Sequence, residues 1–214
     1  APQDADLLKA ESWTTSNYIP MDSTYLNGNF GGWVEGNALV APNGEIVDVL
    51  RVQDKKSFDE KAAIVHISAD GKKASFDADK DFIFFPGGSK KFVIRYDEKS
   101  KKYWTLTNYI PEDIKPGAMA LPKVKYATHV RNTLALCSST DLVNWKVNKV
   151  VLQHPDVLKH AFQYADWMVE GNDIVFVSRT AFDDGLGGAA NNHNNNFITF
   201  HKIKRFRKYT NVIK

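Results

Sequence analysis

Three β-hairpins with the same layout recur along this 214-residue chain. Each pairs two short segments rich in β-branched and aromatic residues across a tight polar turn. The turns lie at Pro42-Asn43-Gly44, at Glu98 to Lys102 and at Gly171-Asn172. After each hairpin the chain passes through a longer polar loop into a third apolar segment, AAIVHIS, RNTLALCS or NFITFHKI. No segment keeps a helical period for three turns, so the pattern predicts an all-β chain.

A shorter fourth strand is predicted to complete each unit, in KASFD, WKVNKVVLQ and RFRKY, with residues 12–17 as a further strand in front. Four antiparallel strands repeated in series are typical of β-propeller blades. We therefore predict one partial β-propeller domain over residues 1–214, with blades at about 31–80, 81–153 and 160–210. With the additional strand in front, these three blades amount to about three and a half, roughly half of a six-bladed ring.

Composition and charge exclude several classes of protein. Apolar residues make up 43% of the chain and charged residues 25%, which excludes a disordered chain, and no apolar run is long enough for membrane insertion. The 28 basic and 25 acidic residues are spread in short clusters, so nucleic-acid binding is not expected. Cys137 is the single cysteine and cannot form an internal disulfide. We expect neither a metal site nor a cofactor.

The segment Ser139 to Trp145 carries a family resemblance. It resembles the Asp-box turn of sialidase-type propellers, S-x-D-x-G-x-x-W, and also the S-x-D-L-x-x-W turn of five-bladed arabinanase-like glycosidases. In such a turn the aspartate caps its own backbone, so the motif predicts a fold rather than chemistry. With GGWVEGNALVAPNGEIVDVLRV and FQYADWMVEGNDIVFVSRTAFDDG, it makes the chain similar to the later half of a sialidase-like (BNR-repeat) propeller.

The resemblance implies a secreted or periplasmic glycoside hydrolase that acts on an acidic or complex glycan. The alternatives are a non-catalytic carbohydrate-binding propeller and a protein-interaction scaffold. Half a ring would leave blade edges open, which favours aggregation. We therefore expect the missing blades to come from another chain, from a second copy or from an omitted N-terminal half.

The long loops, at about 53–61, 111–129 and 182–196, all join a second strand to a third, so they lie on one face of the propeller. Arg51, Arg131 and Arg179 come from different blades near this face. The sialidase resemblance implies that they converge and bind a sugar carboxylate through their planar guanidinium groups. Pairing of each arginine with a neighbouring acid is the alternative.

Glu35 and Asp166 occupy similar inner-strand positions two blades apart. Glycosidases use two carboxyl groups as acid and as base or nucleophile, so both are candidate catalytic residues. They could equally satisfy backbone donors at a strand start. The sialidase pattern also implies a tyrosine nucleophile, for which Tyr164 is the candidate, and His193 in the last long loop is a candidate general base.

The remaining predicted substrate contacts are Trp33, His129, Gln163, Asp183 and Asp184. Both aspartates lie in a loop rich in glycine and asparagine, whose oxygens fit sugar hydroxyls or a calcium ion. A mobile loop that binds no ligand would have the same composition. An aromatic side chain such as Trp33 fits a stacking platform for a sugar ring or the core between two blades.

Overall fold

The computed structural model describes residues 1–55 and 57–210, which form three antiparallel sheets. The first sheet contains β1 (Phe30–Val40), β2 (Ile46–Asp54), β3 (Lys61–Ile67), β4 (Ala74–Ser75) and β5 (Phe82–Phe84). The second contains β6 (Val93–Asp97), β7 (Lys102–Thr107), β8 (Thr133–Ser139) and β9 (Lys146–Gln153). The third contains β10 (Ala161–Glu170), β11 (Asp173–Ala181) and β12 (Phe197–Ile203). The prediction of an all-β chain is confirmed.

Strands within each sheet follow chain order, as expected for hairpins joined in series. In the first sheet, β4 and β5 pair with opposite halves of β3. The helical segments are short: α1 (Tyr25–Gly28), α2 (Lys115–Met119) and 3-10 turns at Ala10–Ser12, Ala127–His129 and Phe206–Lys208. Within the described ranges, none of these helices has the length and apolar character to cross a membrane.

An apolar core lies between each pair of successive sheets. The first interface buries Val47, Val49, Ile64, Phe85, Phe92 and Tyr103. The second buries Trp104, Leu134, Trp167, Ile174, Phe176 and Phe206. Each large side chain removed from water in this way stabilises the fold by roughly 1.5–3 kcal/mol. Hydrogen bonds cross both interfaces, from the Tyr103 hydroxyl to the Val40 carbonyl (2.6 Å) and from Trp167 Nε1 to the Val93 carbonyl (2.9 Å).

The turn at Ser139 to Trp145 is organised by its aspartate. Asp141 Oδ1 accepts the backbone N–H groups of Val143 (2.9 Å) and Asn144 (2.7 Å). The Trp145 ring packs 4.8 Å from Phe85 in the first interface. A similar arrangement occurs in the first sheet, where Asp70 accepts the Ser68 hydroxyl at 2.6 Å. These side chains shape turns and lie outside the candidate site described below.

Two predicted strands are wrong. Residues 12–17 form no ladder; instead, the Asn17 side chain bonds the backbone N–H (2.8 Å) and carbonyl (3.0 Å) of Ala74, and the Asn17 backbone N–H donates to the Lys72 carbonyl at 3.2 Å. The segment RFRKY is a turn rather than a fourth strand, because Arg205 adopts a left-handed φ of 47° and Phe206 inserts against Trp104 at 5.2 Å. Arg207 then forms an ion pair with Asp97 at 2.6 Å.

The outer faces of the first and third sheets differ. An aromatic cluster covers the first sheet and joins Tyr25, from the N-terminal segment, to Phe30, Trp33, Phe76 and Phe82. The outer face of the third sheet is bare and carries exposed Met168, Val177, Ile198 and Phe200. Phe200 lies opposite Val177 in the ladder, so these side chains form a continuous apolar patch.

Candidate functional site

Two arginines flank the ring of one tyrosine, and a third arginine lies near them. The guanidinium carbon of Arg179, on β11, lies 4.7 Å from the centre of the Tyr164 ring, and that of Arg131, before β8, lies 5.9 Å from it. Arg51, on β2, is close enough to act electrostatically on Arg131. We call Arg51, Arg131, Arg179 and Tyr164 the arginine cluster. Cationic groups over an aromatic ring attract its face, so Tyr164 offsets part of the repulsion among the arginines.

A β-bulge places Tyr164 between the arginines. Gln163 pairs with Arg179, but Asp166 pairs with Val177, so β10 has one more residue than β11 across this stretch. Tyr164 adopts a left-handed φ of 52°, which costs a residue with a Cβ atom roughly 1–2 kcal/mol. Bulges and strained residues of this kind are common beside functional sites because they redirect a side chain.

Arg131 is held rigidly. It is 5% exposed, and its Nε donates to the Thr128 carbonyl at 2.9 Å while one terminal nitrogen donates to Gln163 Oε1 at 2.8 Å. Gln163 is fully buried and donates in turn to the carbonyls of Asn192 (2.9 Å) and His193 (3.1 Å). Burial, followed by Arg51 and Arg179, lowers the pKa of Arg131. Such a buried cation carries a large desolvation cost that an anionic ligand would offset.

Arg179 is fixed by the last long loop. Its Nε donates to Asn195 Oδ1 at 2.7 Å and a terminal nitrogen donates to the His193 carbonyl at 3.2 Å. Across residues 1–55 and 57–210, neither Arg179 nor Arg131 forms an ion pair with a carboxylate. Two guanidinium groups therefore share the site without a counter-charge of their own.

Arg51 has an acidic partner. One of its terminal nitrogens bonds Glu35 Oε2 at 2.9 Å, and its Nε donates to the Ser89 carbonyl at 2.9 Å. Partial burial raises the pKa of Glu35, but hydrogen bonds together with Arg51 and Lys91 outweigh this and hold the pKa below its usual range. Glu35 is therefore an ionised carboxylate beside the arginine cluster. β1 has two register shifts, one on each side of Trp33, and Glu35 lies within the second.

Lys90 and Glu60 form a buried ion pair in the same region, and neither is among the site residues predicted from the sequence. Lys90 is fully buried, and Glu60 also accepts the Gly87 N–H at 2.9 Å. Burial, together with smaller contributions from Arg131 and Arg51, lowers the pKa of Lys90 to about 8 against the opposing effect of Glu60. In the sequence, Lys90 is one of two adjacent lysines at the start of a predicted strand, and this pattern does not indicate that Lys90 is buried.

His193 belongs to the same environment. Burial lowers its pKa, and so do Arg131 and Arg179, which disfavour a further positive charge. The ring is therefore neutral at pH 7. Its backbone carbonyl is the acceptor shared by Gln163 and Arg179, so this residue also orders the loop over the site.

Other predicted site residues lie elsewhere. Asp166 lies beyond the bulge at Tyr164, where it bonds Arg95 at 3.0 Å in an exposed ion pair outside the arginine cluster. Trp33 packs in the aromatic cluster of the first sheet, 4.7 Å from Phe30, as core rather than as a free platform.

Two of the last three candidates serve their own loops. His129 accepts the Lys125 N–H at 3.1 Å, and its pKa is lowered by burial and then by Arg131. Asp184 accepts backbone N–H groups of its loop, including that of Leu186 at 2.8 Å. Asp183 lies 3.3 Å from His160 Nε2, in a group considered separately below.

No family model and no curated protein sequence matches this chain. Among solved structures it is similar to an α-L-arabinofuranosidase of Fusarium graminearum in complex with an iminosugar inhibitor, with a TM-score of 0.59 and 10% identity over 94% of this chain and 53% of that one. It is also similar to an α-L-arabinanase of Penicillium chrysogenum complexed with arabinobiose, with a TM-score of 0.52 and 9% identity over 90% and 51%. The chain spans about half the length of these neighbours. It therefore has the β-propeller fold found in these glycoside hydrolases.

Proposed function

We propose that this chain forms part of a glycoside hydrolase that binds an acidic glycan, with the arginine cluster holding the carboxylate of the sugar. The observation that carries the proposal is the meeting of Arg131 and Arg179 at Tyr164 without a carboxylate partner among the described residues. Guanidinium groups bind carboxylates through paired, charge-assisted hydrogen bonds, which are stronger in a partly buried site. A neutral sugar would leave these charges uncompensated.

The fold supports the carbohydrate part of this proposal. The two structural neighbours are glycosidases whose structures contain an iminosugar inhibitor or arabinobiose. Their low identity leaves the substrate of this chain open, so the preference for an acidic sugar rests on the arginines. The sialidase-like part of the proposal rests on the resemblance of the sequence and on Tyr164.

The chemistry that fits these residues is nucleophilic attack by a tyrosine. In sialidases a tyrosine replaces the usual carboxylate nucleophile. Tyr164 lies at the arginines that would orient the sugar, and ionised Glu35 would accept the phenolic proton. The arginines would hold the carboxylate and present the anomeric carbon to the Tyr164 oxygen. As that bond forms, the glycosidic C–O bond breaks and the leaving oxygen takes a proton from solvent. Water then attacks the anomeric carbon and gives a proton to neutral His193, which returns it to solvent, while the bond to Tyr164 breaks and the phenol recovers its proton from Glu35.

A second candidate function is carbohydrate binding without catalysis. Glu35 is the carboxylate that contacts the arginine cluster in the described part of the chain, and it is paired with Arg51. The second carboxylate candidate, Asp166, is paired with Arg95 outside the cluster. A mechanism with two carboxyl groups is therefore not assembled from these residues alone.

One experiment separates the two candidates. The purified chain and its Glu35→Gln variant are placed on an array of sialylated, uronate-containing and neutral oligosaccharides, and sugar release is measured in parallel. An enzyme binds acidic members and releases sugar, and Glu35→Gln removes the release while binding remains. A binding module binds the same members and releases none. Absence of any preference for acidic members would contradict both.

We also propose that further propeller blades cover the outer face of the third sheet. The exposed apolar patch of Met168, Val177, Ile198 and Phe200 is the kind of surface that blades bury against each other. The chain covers 53% of the first neighbour, which leaves room in that ring for such blades. The mass of the particle in solution tests this: a stable 24.1 kDa monomer would contradict ring completion by a second copy.

The location outside the cytoplasm is a proposal that rests on the resemblance to secreted polysaccharide-degrading propellers. Fractionation of cells that express the gene tests it directly. Recovery of the protein only from the cytoplasm would contradict it.

A further inference from the structure

A second group of polar side chains lies where the second and third sheets meet. His154 directly follows β9, His160 directly precedes β10 and Asp183 lies two residues after β11. One ligand atom from each of the three side chains lies within 4.8 Å of the others. We call these residues the histidine cluster. Phe182 packs edge-on against both rings, 5.4 Å from His154 and 5.0 Å from His160.

The hydrogen bonds of His160 fix its proton. Its Nδ1 lies 3.0 Å from Asp156 Oδ2. Asp156 Oδ1 accepts the backbone N–H groups of Leu158 (2.7 Å) and Lys159 (3.2 Å), which leaves Oδ2 for His160. A carboxylate oxygen that is already surrounded by donors in this way acts as an acceptor, so His160 Nδ1 carries the proton. In the neutral ring, Nε2 then presents a lone pair.

That lone pair faces another acceptor. His160 is 5% exposed, and its Nε2 is buried and makes no hydrogen bond among the described residues. The Oδ2 atom of Asp183 lies 3.3 Å from it. Two acceptors this close, without a hydrogen bond between them, repel unless a cation lies between or beside them.

We propose that His160, Asp183 and His154 bind a divalent transition-metal ion, with Zn²⁺ as the best match. Ligand atoms about 2.0–2.2 Å from a shared Zn²⁺ lie roughly 3–4 Å from each other, close to the spacing of this cluster. Two imidazoles and one carboxylate suit Zn²⁺ and its neighbours in the first transition row, whereas Mg²⁺ and Ca²⁺ prefer oxygen ligands. Asp156 supplies the outer carboxylate that usually orients a metal-binding histidine.

The three ligands are not equivalent. His154 Nδ1 already accepts the Asp156 N–H at 3.1 Å, and the His154 ring stacks on His160 with centres 3.5 Å apart. Binding through His154 requires its ring to turn, so His160 and Asp183 contribute more to affinity. Asp183 is mostly exposed and leaves an open path for the ion. The bound ion would link the end of β9 to the third sheet, independently of the arginine cluster.

The test uses chelator-treated, tag-free protein and zinc chloride in isothermal titration calorimetry. We expect saturable binding of one ion per chain. Affinity should fall at least 100-fold in His160→Ala, and about 10- to 100-fold in Asp156→Asn, through loss of the outer carboxylate. Asp184→Asn is the matched control, since that carboxylate already accepts the N–H groups of Leu186 and Gly188, and it should bind as the wild type does.

A second measurement does not depend on the variants. Co²⁺ added to the wild-type protein should give the visible absorption of a low-symmetry site, and Zn²⁺ should displace it, while Mg²⁺ should not. Absence of one-to-one Zn²⁺ binding, or equal affinity in wild type and a folded His160→Ala variant, would overturn the proposal. If Zn²⁺ does not bind and His160 instead takes up a second proton, that proton lies between His160 Nε2 and Asp183 Oδ2, and the metal proposal is wrong.

Discussion

The arginine cluster and the Arg95–Asp166 ion pair both contain guanidinium groups, but the two regions differ in burial and in charge pairing. Arg131 is 5% exposed, fixed by three hydrogen bonds and without a carboxylate partner among the described residues. Arg95 and Asp166 neutralise each other at side-chain exposures of 42% and 64%. An exposed pair of this kind contributes about 0–1 kcal/mol to stability, whereas a buried unpaired cation is expensive to keep. Burial without a counter-charge, rather than charge itself, therefore distinguishes the region that we propose binds the ligand.

The largest expected difference between the two regions is in catalysis. Glu35→Gln should lower the rate of acidic-glycan hydrolysis by about 10²–10⁴-fold, since it removes a proton acceptor. Asp166→Asn is the control and should leave the rate within about threefold, because an exposed ion pair contributes little. Initial rates of sugar release measure both variants. Equal losses in the two variants would show that the bulge does not separate their roles.

Ligand affinity gives the next largest difference. Arg131→Met should weaken binding of an acidic oligosaccharide about 100-fold, as expected when one partner of a buried charged contact is removed. Arg95→Met, at an arginine that also lies over an aromatic ring, Trp167 at 5.2 Å, should change the affinity less than about threefold. Calorimetric titration of both variants checks this. Similar affinities for Arg131→Met and the wild type would remove the arginine cluster from the binding site.

Much of this arrangement follows from the sequence. Arg51 and Arg179 stand near the ends of second strands, β2 and β11, and Arg131 stands just before a third strand, β8. The end of a second strand and the start of a third lie on the same face of a propeller, so the repeat predicts that the three share a face. The position of Asp166 could not be predicted, because strict alternation would place it on the same side as Tyr164 and one extra residue in β10 breaks that alternation. A bulge is difficult to predict from a sequence, because one extra residue changes the hydrophobic pattern very little.

Tertiary contacts account for the other differences. The segment RFRKY alternates like a strand, yet Phe206 gains more by inserting beside Trp104 than by extending the sheet. The Lys90–Glu60 pair joins residues 30 positions apart, so only the fold reveals that the two bury each other. The histidine cluster likewise combines the ends of three strands.

The bulge itself offers a smaller test. Tyr164→Gly and Tyr164→Ala should each weaken acidic-glycan binding about 3- to 30-fold, through loss of the ring beneath Arg179. The glycine variant should unfold with a free energy about 1 kcal/mol higher than the alanine variant, since glycine accepts a φ of 52° without strain. Urea denaturation measures this difference. A more stable alanine variant would mean that Tyr164 is not strained.

The smallest expected effect is the pH dependence. Because the pKa of His193 is lowered in the folded state, the unfolded state binds its proton first, and stability falls as the pH drops below about 6.5. An anionic ligand favours the protonated ring, so its affinity should rise a few-fold between pH 7 and pH 5. His193→Gln should abolish this rise. His201→Gln should not, although burial also lowers the pKa of His201. Titrations at several pH values check both, and a rise that persists in His193→Gln would assign it to another group.

Binding of a sugar carboxylate by the arginine cluster is tested most directly by comparing one acidic oligosaccharide with its carboxyl-reduced counterpart in isothermal titration calorimetry. The two ligands differ only in the charge that Arg131 and Arg179 are proposed to bind. The acidic form should bind about 100-fold more tightly, and this difference should disappear in Arg131→Met. Equal affinity of the wild-type protein for both forms would contradict it.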